Sequence, residues 1–150
     1  MAVALKKSLI AAFFVLLVPL AALAKDAAVV VAKTSTLTAV HSADLTKAFK
    51  TLPPKWPDGR EIIIVVKAVN TPEATAVATK LLGQTGDFFA GAAGKMRIIV
   101  ANTDADVIKT VSSIPNSIGI VDIYSITGAV SVVKVDGKLP LEPGYLLHYN

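Results

Sequence analysis

The chain contains no cysteine. Disulfides, thiol chemistry and cysteine-based metal sites are therefore excluded, and an exported domain of this kind must rest on its apolar core alone. Histidine is scarce as well. Only His41 and His148 occur, at opposite ends of residues 25–150. His41 has no acidic or second histidine neighbour at ligand spacing, so it is read as a surface or capping residue. The basic residues are scattered and not interleaved with aromatics, which leaves nucleic-acid binding without support. There is no Gly-x-Ser-x-Gly elbow, His-Glu-x-x-His pair, phosphate-binding P-loop or Gly-x-Gly-x-x-Gly fingerprint. Asp104-Ala105-Asp106 resembles a carboxylate pair, but residues i and i+2 of a helix do not face each other. These two are read as capping and solvated. The sequence thus points away from an enzyme and offers no cofactor site.

The chain begins with a recognisable export pattern. Lys6 and Lys7 precede an apolar run from Leu9 to Leu20, and Ala22-Leu23-Ala24 is a small-x-small cleavage pattern. Pro19 interrupts the run and Lys25-Asp26 follows at once, so a secretory signal peptide fits better than a membrane anchor of about 20 apolar residues. Residues 1–24 are read as a leader cleaved near Ala24, and residues 25–150 as one domain, most naturally periplasmic. Removing Lys6 and Lys7 from the 15 basic residues leaves 13 against 11 acidic ones, a net charge of +2.

The remaining chain is organised around residues 55–75. Trp56-Pro57-Asp58-Gly59-Arg60 is turn chemistry, because proline fixes φ and glycine permits a positive one. Trp56, the single tryptophan, is read as a rim residue packing that turn. The β-branched run Glu61 to Lys67 predicts a strand covered on both faces. Asn70-Thr71-Pro72-Glu73 then predicts a helix start, with a polar cap and proline at the first helical position. Helical spacing continues through Ala74, Val77, Ala78, Leu81 and Leu82 until Gly83. Elsewhere strands are expected at Ala27–Ala32, Met96–Ala101, Ile118–Ile123 and Val130–Val135. Helices are expected from an N-cap at Ser42 to Phe49, over Asp87–Ala90, and after Asn102-Thr103-Asp104 with Val107, Ile108 and Val111 inward. The alternation implies an α/β domain with a mixed sheet flanked by helices. In such sheets a ligand sits where the carboxyl end of a strand feeds a helix, here residues 67 to 75.

Several pieces resemble a family in order and spacing. The helix Ser42 to Phe49 leading into Trp56-Pro57-Asp58-Gly59, the stretch Ile114-Pro115-Asn116-Ser117-Ile118-Gly119-Ile120-Val121, and Val132-Val133-Lys134-Val135-Asp136-Gly137 with Pro140 are similar to phosphate-binding-type periplasmic solute-binding proteins of ABC importers. The resemblance spans about residues 29 to 149 and implies a single lobe of the type II periplasmic-binding fold. It also implies a small anionic ligand such as phosphate and a membrane permease or other protein as partner.

Two departures accompany it. Family members carry an arginine and a Gly-Ser-Gly-Thr stretch after the central strand, where this chain reads Lys67-Ala68-Val69-Asn70-Thr71-Pro72-Glu73-Ala74-Thr75. Lys67, Asn70, Thr71 and Thr75 are the candidate ligand-binding residues, Lys67 supplying a point charge in place of a bidentate fork. Glu73 opposes an anion, and Pro72 removes one amide donor. The chain also has room for one lobe only, which offers half a cleft. Two readings stay open: an exported small-ligand-binding protein for phosphate or another oxyanion, and a non-transporting interaction or sensory module that keeps the lobe without a phosphate site. A secreted enzyme with an unrecognised site is the weakest alternative.

Overall fold

The computed structural model describes residues 25–51, 53–67, 71–83 and 98–149. The leader expected over residues 1–24 and the helix expected at Asp87–Ala90 lie outside the described residues. The elements run β1 (Lys25–Ala32), β2 (Ala39–Val40), α1 (Ser42–Lys50), β3 (Ile63–Lys67) and α2 (Pro72–Val77), which passes into a π-helical turn at Ala78–Leu82. They continue with β4 (Ile98–Ala101), α3 (Asp104–Ser113), β5 (Ser117–Asp122), a 3-10 turn at Ile123–Ser125, β6 (Val130–Val135) and β7 (His148–Tyr149).

Among the described residues, seven strands make one mixed sheet in the order β2-β6-β1-β5-β3-β4, with β7 pairing β1 off this path. β3 lies parallel to β4 and to β5, so Lys67 and Ala101 are directly paired at the carboxyl ends of their strands. β1 runs antiparallel to β5, β6 and β7. The expected mixed α/β sheet is what forms.

Alternation of side chains splits β3 between two cores. Ile64 and Val66 join the larger cluster with Leu45, Phe49, Val77 and Leu81, under α1 and α2. Val65 joins the other, with Val107, Ile108 and Val111 of α3. Fully burying Phe49 and Leu45 contributes about 1.5–3 kcal/mol each. Gly119 explains how closely α3 sits. A Cβ there would lie 2.7 Å from Val111 and 2.8 Å from Val107, so the glycine in this strand is required by helix packing.

The helix starts follow sequence chemistry with one exception. Thr71 accepts a hydrogen bond from Ala74 N–H at 3.2 Å and Thr103 one from Asp106 N–H at 3.1 Å, so both act as side-chain caps. α1 differs from expectation: His41 is the N-cap residue, without a side-chain cap bond, and Ser42 is already helical. The Ser42 N–H instead donates at 2.8 Å to the carboxylate of Asp136, 94 residues on. That bond holds the Asp136 carboxyl below its usual range.

The end of the described chain is stitched back onto its beginning. Asp26 is 2 % exposed. One of its oxygens lies 2.7 Å from His148 Nδ1, and the other accepts from Leu141 N–H at 2.5 Å. The buried Tyr145 hydroxyl donates to Ala27 O at 2.8 Å, and burial pushes its ionisation far up. This stitching places Tyr149 beside the carboxyl end of β5, where its hydroxyl meets Asp122.

Candidate functional site: the carboxyl end of the parallel strands

β3, β4 and β5 all end on the same edge of the sheet, where α2 and α3 begin. Open α/β sheets place ligands at such an edge. Lys67, the last residue of β3, projects its ammonium between the first turns of both helices. Its Nζ lies 3.0 Å from Glu73 Oε1 on α2 and 2.9 Å from Asp104 Oδ1 on α3. The side chains of all three are largely shielded, 15 % exposed for Lys67 and 11 % for each carboxylate. Burial alone would lower the Lys67 pKa, but the hydrogen bonds and charges of Asp104 and Glu73 outweigh it and hold the pKa above its usual value.

The surroundings are acidic. The other oxygen of Asp104 accepts from Ser125 Oγ at 2.6 Å, and Asp122, at the end of β5, accepts from the Tyr149 hydroxyl at 2.5 Å. Burial, the bond to Asp122 and the charges of Glu73, Asp122 and Asp104 together drive Tyr149 ionisation far upward. Glu73 Oε2 is buried with no hydrogen-bond partner among the described residues. One ammonium thus faces two carboxylates directly, with a third close by. Among the described residues, the local charge is negative.

The sequence candidates separate into two places. Lys67 borders a recess with Glu73, Ala74 and Val77 that leaves about 10 Å³, enough for one water at most. Thr71 and Thr75 come together elsewhere, on the outer side of α2, in an open hollow of about 460 Å³ shared with Thr79, Lys80 and Tyr149. Lys80 Nζ there donates to the His148 carbonyl. Asn70 lies outside the described residues. Asp104 was expected to be solvated; it is instead a partner of Lys67, and with Asp122, Ser125 and Tyr149 it belongs to the constellation that sequence reasoning missed. One signal was available. If β4 pairs in parallel beside β3, the residues just past Ala101 must lie against Lys67, and the first acidic one is Asp104.

No protein-family profile and no curated protein sequence matches the chain. Solved structures do match its fold, which is that of one half of phosphate ABC-transporter substrate-binding proteins. PstS from Borrelia burgdorferi aligns with a TM-score of 0.66 at 16 % identity, over 85 % of this chain and 55 % of that one. A putative phosphate ABC transporter substrate-binding protein with bound phosphate from Clostridium perfringens gives 0.60 at 17 %, over 76 % of this chain and 46 % of that one. An ABC-type phosphate transport receptor from Vibrio cholerae gives 0.57 at 13 %, over 83 % and 54 %. The chain therefore spans about half the length of the structures it matches, and at these identities the likeness is one of fold.

Proposed function

We propose that this chain is an exported binding protein built on one lobe of the solute-binding fold, and that it acts as an interaction module without a free oxyanion site at the β3–α2 junction. The observation that carries the reading is the pairing of Lys67 with Glu73 and Asp104 at 3.0 and 2.9 Å. A phosphate arriving there would have to displace two carboxylates from the cation they share, inside a shielded recess with room for one water at most. Charge and volume both oppose it. Export rests on the leader pattern in residues 1–24. Among the described residues no helix is long and apolar enough to cross a membrane.

A second reading, binding of phosphate or another small oxyanion by Lys67, Asn70, Thr71 and Thr75, is favoured by the fold likeness and by the hollow that Thr71, Thr75 and Lys80 share. Transport with a membrane permease would follow from that reading. Thermal denaturation with millimolar phosphate, sulfate and arsenate separates the two, because an anion that binds only the folded state raises the melting temperature. The expected result is no shift for the natural chain. Glu73→Ala combined with Asp104→Ala, which frees the Lys67 charge and opens the recess beside it, should gain a phosphate-dependent rise. A rise in the natural chain that Lys67→Ala abolishes would establish the oxyanion reading instead.

A further inference from the structure

The opposite edge of the sheet carries a groove that neither reading uses. It holds about 650 Å³, within the range of small-molecule sites, and its floor is the ends of β1, β3 and β5. Its walls come from two loops and a turn: Thr34 and Thr36 after β1, Trp56, Arg60 and Glu61 before β3, and Asn116 before β5. The Trp56–Arg60 turn is rigidly built. Trp56 N–H donates to Arg60 O and Gly59 N–H to Trp56 O, each at 2.9 Å. Asp58 then grips Arg60 twice, accepting from its backbone N–H at 2.9 Å and its Nε at 2.7 Å. This leaves the terminal guanidinium nitrogens available and the side chain oriented. Asn116 is fixed as well, at φ 60° with its carbonyl accepting from Ile63 N–H at 3.0 Å.

We propose that this groove binds a neutral polyhydroxylated ligand, a saccharide unit. Trp56 packs against the core cluster and lines the groove, and its large apolar ring gives a platform for the carbon-bound hydrogens of a sugar ring. Around it stand the planar groups of Arg60 and Asn116, suited to vicinal hydroxyls, with the hydroxyls of Thr34 and Thr36 also lining the groove. The charge balance decides the class. Arg60 is matched by Asp58, so the pair brings no net positive charge to the rim and does not select an anion. The mixture of donors and acceptors suits groups that both give and take hydrogen bonds.

Because Trp56 is the only tryptophan, its fluorescence reports on the groove directly. Titration with maltose, cellobiose and N-acetylglucosamine should give a saturable change for at least one, with a dissociation constant on the order of 1 mM, as befits an open site. Arg60→Ala and Asn116→Gly, the latter preserving the positive φ, should each weaken it by about tenfold while leaving the melting temperature in place. A flat response to all three sugars would overturn the assignment. So would a response unchanged in both variants, or a larger one to sodium benzoate, which would mark the groove as a site for apolar anions. The groove and Lys67 lie at opposite edges, so the two proposals fail independently.

Discussion

The two edges of the sheet hold the same kind of chemistry in opposite states. At the carboxyl edge a cation is clamped by carboxylates with side chains 11–15 % exposed. At the amino edge Arg60 and Asp58 form an ion pair with side chains 70 % and 51 % exposed, beside an open groove. The first arrangement must be satisfied internally, because a buried charge without a partner is costly. The second is satisfied by water whenever the pair opens, and so contributes little to folding. An edge whose cation is already committed to shielded carboxylates has little to offer an anion, and an edge whose polar groups face solvent has them to offer. The fold places the habitual ligand edge in the first condition.

The largest effect should come from removing the clamped cation. Lys67→Ala leaves Glu73 and Asp104 facing each other without a counter-charge, and should cost about 3 kcal/mol in denaturant unfolding. A loss comparable to that of Arg60→Ala would erase the distinction between the edges. Gly119→Ala comes next. Its new methyl must push Val107 and Val111, and with them α3 and Asp104, away from β5, at a cost of about 2 kcal/mol. Alkaline pH sharpens the contrast further. The folded Lys67 pKa is raised, so its contribution is complete below the unfolded value and lost as pH climbs through the folded one. Stability should therefore fall in strongly alkaline solution, and Lys67→Met should remove that part of the fall. Smallest is Arg60→Ala, which should leave the unfolding midpoint unchanged within error.

Much of the architecture was legible in the sequence. The runs at Ala27–Ala32, Glu61–Lys67 and Val130–Val135 read as strands because apolar, β-branched stretches of that length leave few alternatives, and the strands form at Lys25–Ala32, Ile63–Lys67 and Val130–Val135. Thr71-Pro72 and Thr103-Asp104 read as helix starts because cap chemistry is local. Relations distant in sequence were not legible. Strands of two residues, β2 and β7, carry no periodicity, and the Asp136 carboxylate that serves α1 comes from 94 residues away. The candidate site divided along the same line. Lys67 was found from its place at a strand end, and Glu73 was recognised as opposing an anion. The third member, Asp104, depended on strand pairing, and local helix geometry made it look solvated.

The central claim is that the Lys67 ammonium is committed to Glu73 and Asp104. Nitrogen-resolved NMR of the lysine side chains, with phosphate added stepwise, tests it most directly. The Lys67 ammonium protons should be protected from exchange beyond those of the exposed lysines, and their resonance should stay fixed as phosphate rises. A Lys67 signal that exchanges freely, or that moves saturably with phosphate, would contradict the account.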